Sequence, residues 1–236
     1  MPSLSVVIPA YNEAQLIDKC LSALAMQIDY IDEIIVVDNN CTDSTVQKAL
    51  TYPKVRVVHE PQQGITYARY KGFESASSDI IARTDADSIA MPNWAQTIRD
   101  EFSNSRIDAI AGNYAIAELS PGKLFLASWY CRYLFRPWHQ HSLGIKPMMY
   151  GPNAAFTKAA WNRSKHHLSF GDSTASEDVD VTLSFLAEGL TIKYMPKLLV
   201  KCYLLRTLKF HKLRRYYRTD NITLAKYKLG NKRRWR

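Results

Sequence analysis

Four short apolar runs, each separated from the next by a stretch with helical spacing, constrain this chain more than any other feature. Leu4–Ala10, Glu33–Asp38, Val55–Val58 and Asp79–Asp85 are rich in valine and isoleucine and too short for helices, so they predict buried strands. Between the first two, Leu16, Ile17, Cys20, Leu21 and Leu24 form one apolar helical face within 13–27. Further helices are predicted over 44–51, capped by Thr42 or Asp43, over 66–76, and over 93–103 after Pro92. Such alternation with short connections predicts an α/β fold: a doubly wound, mostly parallel sheet with helices on both faces. Ligands of these sheets collect at the carboxyl ends of strands, where Asp38 and Asp85 both fall.

Beyond residue 108 the pattern loosens. A strand is predicted over Asp108–Ala117, followed by an aromatic-rich segment at 120–138 and a Gly151-Pro-Asn153 turn leading into Ala154–Trp161. A polar loop at 171–176 precedes a helix over 177–188, and strands are predicted near 191–195 and 198–203. The remainder reads as helix over about 206–229. With 236 residues the chain is large enough for one α/β domain and too short for two, which assigns 1–205 to one domain and 206–236 to a basic amphipathic segment.

Charge divides the same way. The net charge of +9 conceals a slightly acidic body, because Lys197–Arg236 holds fourteen lysines and arginines against a single acid, Asp220. Arg206, Lys209, Lys212, Arg214, Arg215 and Arg218 alternate there with Leu208, Phe210, Leu213, Tyr216 and Tyr217. Three readings stay open: a helix lying on an anionic membrane surface, arginines reaching a diphosphate, or a solvated face. Nucleic acid is not expected as a partner, since the body is acidic and carries no reading motif. No run of eighteen apolar residues predicts a membrane span, the first residues show no secretory pattern, and the four cysteines form no C-x-x-C pair. Reduced thiols and a cytoplasmic location, with peripheral contact to the inner membrane face, are the expectation.

The strongest chemical signal is Arg83-Thr-Asp85-Ala-Asp87. Two carboxylates two residues apart, just past a buried strand, suit one hard divalent cation, Mn²⁺ or Mg²⁺. Together with Val6-Val-Ile-Pro-Ala-Tyr-Asn-Glu13, Ile34-Ile-Val-Val-Asp38, Ala68-Arg69, Gly151-Pro-Asn-Ala-Ala-Phe156 and Glu177-Asp178, in this order, the chain resembles the family 2 glycosyltransferases. These are inverting enzymes with a GT-A fold.

The resemblance implies a nucleotide-sugar-binding half at 1–115 and an acceptor-binding half at 116–205. Pro9, Ala10 and Tyr11 correspond to the wall of the nucleotide-base pocket, and Asp38 to the carboxylate that accepts from the base. Glu13 corresponds to a ribose contact, with capping of the first helix as its alternative. Arg69 corresponds to an arginine near base and diphosphate, with a solvated helix charge as the alternative. Asp85 is implied near ribose and metal, Asp87 as principal metal ligand, and Asp178 as general base beside Glu177. Gly151, Asn153 and Glu177 fall on the acceptor side. Asp180, two residues on from Asp178, faces elsewhere on a helix.

A histidine that many such enzymes place near the end of the last strand falls by register at Cys202, so no third metal ligand is implied; His211 is the nearest histidine. The His166-His167 pair reads as surface. The processive Gln-x-x-Arg-Trp segment is absent. The implied activity is metal-dependent, inverting transfer of a sugar, from UDP as first choice, to a glycan or lipid-linked acceptor in bacterial-type cell-surface glycan synthesis. Transfer to a polyprenyl phosphate, a sugar-phosphate nucleotidyltransferase and a non-catalytic nucleotide-sugar-binding protein are the alternatives.

Overall fold

The apolar runs form strands whose two faces bury against different helices. A computed structural model describes residues 1–117, 141, 144–171, 175–203 and 218–227. In chain order the elements are β1 (Leu4–Ala10), α1 (Ile17–Ala25), β2 (Glu33–Asp38), α2 (Thr45–Ala49), β3 (Val55–His59), α3 (Ile65–Ser75), β4 (Ile80–Arg83), β5 (Ser88–Ala90), α4 (Trp94–Asn104), β6 (Ala109–Ile116), β7 (Ala154–Thr157), α5 (Lys158–Ser164), α6 (Glu177–Ala187) and β8 (Ile192–Cys202). Residues 218–227 form a further helix.

The sheet runs β3-β2-β1-β4-β7-β6-β8-β5. The first four strands are parallel; β7 lies antiparallel between β4 and β6, β8 is parallel to β6, and β5 closes the far edge antiparallel to β8. This is the expected mostly parallel arrangement with helices on both faces.

The period of two along a strand decides what each face meets. Leu4, Val6 and Ile8 of β1, Ile34 and Val36 of β2, and Ile80 and Ala82 of β4 pack with Ile17, Leu21 and Leu24 of α1 and with Trp94 and Ile98 of α4. Val7, Ile35, Val37 and Ile81 point the other way, toward Ala68 and Phe73 of α3, Trp161 of α5 and Phe185 of α6. Arg83 shares the Ile81 face by the same alternation.

Two expectations change. The segments at 191–195 and 198–203 are one strand, β8, whose pairing with β6 shifts between Ala111 and Asn113. Pro196 lies within that irregularity, where its missing N–H costs no ladder bond. The short strand β5 was not legible, being three residues long and set between an acidic turn and a proline. The aromatic segment at 120–138, residues 172–174 of the polar loop, His211, and the basic residues at 206–217 and 228–236 lie outside the described residues. Among the described residues Cys20, Cys41 and Cys202 are free, and no helix is long and apolar enough to cross a membrane.

Candidate active site

Parallel register brings the first two strand ends together. Ala10 stands opposite Asp38, so the Pro9–Tyr11 segment and the Asp38 carboxylate share one edge. Asp38 Oδ1 accepts the Cys41 N–H at 2.8 Å, and Oδ2 lies 3.1 Å from His59 Nδ1. Burial works against ionisation there, but the Cys41 hydrogen bonds and His59 hold the carboxyl below its ordinary range. Asn12, at φ 54°, accepts the Thr42 N–H at 2.8 Å and ties the turn after β1 to the turn after β2. Tyr11 beside it is 53% exposed, a free aromatic face at the strand tip. The Glu13 carbonyl accepts the N–H groups of Leu16 and Ile17, so its backbone begins the turn into α1.

A second set of side chains meets beneath these tips. Helix α3 lies close on the sheet because Gly72 has no side chain; a Cβ there would overlap Val7 and come within 2.9 Å of Val37 Cγ2. One turn earlier, Arg69 is buried and donates in three directions. Its Nη2 reaches Asp85 Oδ1 at 2.6 Å, while Nη1 reaches Glu177 and, at 3.2 Å, Asp178 Oδ1. Arg83 has no exposed surface and donates from Nη1 to Glu177 and from Nη2 to the Met149 carbonyl at 2.8 Å and Asp178 Oδ1 at 3.2 Å. Two guanidinium groups therefore gather three carboxylates from a strand end and a helix start.

That arrangement sets the two acids apart. Burial would raise Asp178, yet Arg83, Arg69, a hydrogen bond with Glu177 and the Gly151 N–H together hold it below the ordinary range. Burial dominates at Glu177 and pushes it up to about 7 against the pull of the same two arginines. Gly151 fits here for a steric reason: a Cβ would collide with the Arg69 guanidinium, 2.8 Å from its Cζ. The first turn of α6 is unusually acidic, with Glu177, Asp178 and Asp180, a placement that the helix N-terminus favours.

Asp85 and Asp87 stand in the turn between β4 and β5. The Ser88 N–H closes it on the Asp85 carbonyl at 2.9 Å, and the Tyr203 N–H, just past β8, donates to the Asp87 carbonyl at 3.1 Å. Burial, reinforced by both aspartates, pushes the Cys20 and Cys202 thiols up. Two carboxylates two residues apart in this turn offer oxygen donors only, the chemistry that Mn²⁺ or Mg²⁺ takes. Cys202, near which the resemblance implies a histidine in many such enzymes, is buried and accepts from Ser88 Oγ at 3.3 Å. Among the described residues His166, His167 and Glu188 could also hold a metal ion, but they lie at the opposite end of α6 from Asp178. His167 Nε2 is 2.8 Å from Glu188 Oε1 there; His166 is exposed and His167 half-buried.

Residues 5–165 match the family described as Glycosyl transferase family 2. The chain belongs to that family. It is 34% identical to glycosyltransferase AglE of Haloferax volcanii over 122 residues, 48% of this chain and 40% of that protein. It is 26% identical to the uncharacterized glycosyltransferase YibD of Escherichia coli over 226 residues, 86% of this chain and 62% of that one. The chain thus spans less than two thirds of the length of these curated relatives. Among solved structures, glucosyl-3-phosphoglycerate synthase from Mycobacterium tuberculosis, in complex with Mn²⁺, UDP and glucosyl-3-phosphoglycerate, superposes with a TM-score of 0.71 at 20% identity. The match covers 96% of this chain and 80% of that one, and shows a shared GT-A fold.

Of the residues expected at the site, the structure joins Asp85, Gly151, Glu177 and Asp178 around the Arg69 guanidinium, with Pro9–Tyr11 and Asp38 at the neighbouring strand tips. Asn153 is placed differently from the acceptor-side expectation. It has no exposed surface; its Nδ2 donates to the Asn113 and Leu198 carbonyls at 2.6 and 2.9 Å, and its Oδ1 accepts Trp94 Nε1 at 2.9 Å. It braces the seam between β6 and β8. Glu177 likewise sits 6% exposed behind Asp178, engaged by arginines. Arg83 was not among the expected site residues. Its signal was present, since a cation at a core-facing strand position requires a buried anion.

Proposed function

We propose that this chain transfers a sugar from a nucleoside diphosphate, UDP first, to an acceptor hydroxyl with inversion at the anomeric carbon. The observation that carries this reading is the Arg69 guanidinium, which holds Asp85 of the strand-end turn and Asp178 of the α6 start at 2.6 and 3.2 Å. In this reading Asp85 is the donor-side and Asp178 the acceptor-side carboxylate, and one guanidinium holds both. The solved complex of a similarly folded enzyme with Mn²⁺ and UDP agrees with this choice of donor and cation.

The roles follow from the chemistry. Pro9, Ala10 and Tyr11 wall the base, with the exposed Tyr11 ring as a stacking face. Asp38, held ionised, accepts from the base, and Glu13 and Asp85 meet the ribose. Asp85 and Asp87 would hold Mn²⁺ or Mg²⁺, which supplies positive charge against that growing on the departing diphosphate. The acceptor oxygen attacks the anomeric carbon as the bond to the diphosphate oxygen breaks, and Asp178 takes the hydroxyl proton. Arg83 and Arg69 keep Asp178 ionised for that task. Gly151 lets the acceptor segment approach. The acceptor is a glycan or a lipid-linked saccharide, the product a cell-surface glycan, and the basic residues of 206–236 would meet an anionic membrane surface.

The test is UDP release from a panel of UDP-sugars with Mn²⁺. Asp87→Ala and Asp178→Asn should each lower it by about a hundredfold or more, the first through metal affinity and the second with donor binding retained. Absence of nucleotide-sugar binding under both Mn²⁺ and Mg²⁺ ends the proposal.

A further inference from the structure

The helix at 218–227 was assigned by sequence to a basic segment outside the catalytic domain, yet it packs against the first turn of α6. Thr219, Thr223 and Leu224 are buried along one face of it. Three separate contacts link this face to the proposed base.

The first is at the helix start. Ser176, the residue before Glu177 and Asp178, makes no side-chain cap of its own for α6. Its backbone N–H instead donates to Thr223 Oγ1 at 2.8 Å, and the same hydroxyl donates onward to the Thr219 carbonyl at 2.8 Å, which fixes its lone pairs toward Ser176.

The second contact is an ionic one. The Asp180 carboxylate has no exposed surface. Its Oδ1 accepts Tyr227 OH at 2.9 Å and Lys226 Nζ at 3.1 Å, and its Oδ2 accepts the Ser169 N–H at 2.6 Å. Lys226 also bonds Ser169 Oγ at 2.7 Å and the His167 carbonyl. The third is apolar. Leu224 packs with Val179 and Leu183 of α6 and with Met148 and Tyr150, the residues that lead into Gly151.

A helix's first turn is its least restrained part, because its N–H groups lack intrahelical partners. On the sheet side Arg69 and Arg83 hold Glu177 and Asp178; on the other side the turn is held by 218–227. We infer that the helix at 218–227 is a strut for catalysis, with Thr223, Lys226 and Tyr227 as positioning residues that act through Asp178. The inference rests on the reading of Asp178 as general base.

The test uses the full chain and two readouts. Hydrogen exchange needs no substrate: Thr223→Val should speed exchange of the amides at 176–180 by about tenfold while β1 to β4 keep their protection, and Thr223→Ser should restore the wild-type rate. Unchanged exchange at 176–180 overturns the strut. UDP release from UDP-glucose with Mn²⁺ is the second readout. Thr223→Val and Tyr227→Phe should lower kcat about 10–100-fold with donor KM within about twofold.

In an Asp178→Asn background the same changes should cost little more, because their effect passes through the missing base. An equal, additive loss in both backgrounds, or lower thermal stability with unchanged kcat, overturns the inference. The two readings fail separately: full activity of Asp178→Asn removes the base, whereas an inactive Asp178→Asn beside a fully active Thr223→Val removes only the strut.

Discussion

Arg83 shows how a single position ties fold to chemistry. It ends a strand whose other residues are apolar, and alternation aims it at the side of the sheet that α6 covers. A wholly buried guanidinium is tolerable only beside a fixed anion, which Asp178 provides, with the Glu177 carboxyl as a further acceptor. Replacing Arg83 with methionine would leave three carboxylates around Arg69 alone. The expected loss is about 3–5 kcal/mol of folding stability, read from denaturant unfolding, and Glu177→Gln in the same chain should recover part of it. No recovery would mean that the destabilisation comes from packing instead. The acids of this network were legible from strand-end and helix-start chemistry. Their pairing was not, because Arg69 and Glu177 are 108 positions apart and nothing local links them.

Among the elements, α3 matters most, since it delivers Arg69. Its register on the sheet depends on Gly72, where any side chain meets Val7 and Val37. Gly72→Val should lift the helix, cost about 1–3 kcal/mol or more, and lower kcat through displacement of Arg69. A variant with reduced Tm but wild-type kcat would show that Arg69 tolerates the shift. The elements up to β4 were readable because strands buried on both faces are apolar throughout and helices between them keep one apolar stripe. The later ones were harder. Strand β7 is four residues long and runs straight into α5, and β8 carries Pro196 inside a pairing shift, so a run of local signals read as two strands describes one.

For the whole molecule, opposite shifts of two carboxyls predict the form of stability against pH. At Glu33 burial alone would raise the pKa, but hydrogen bonds from Ser5, Ser77 and Arg56 lower it to about 2 from 4.5. Its contribution is present above 4.5 and is lost as pH falls toward 2. Glu177 is raised by burial to about 7, so the folded state keeps a proton that the unfolded chain has released, and stability declines as pH rises from 4.5 through 7. Urea midpoints measured across this range should peak on the mildly acidic side. Glu33→Gln should flatten the acid limb and Glu177→Gln the neutral one; if neither limb responds, other groups govern the profile.

Alternation and strand-end acids are local properties, and they sufficed to read the α/β sheet, the Asp85–Asp87 turn and the family resemblance directly from residue order. Which side chains share a cleft is a property of distant contacts. Packing alone buried Asn153 in the seam under Trp94, brought Arg83 beneath Asp178, and set the helix at 218–227 against α6, since each of these depends on surfaces that meet only once the sheet has formed.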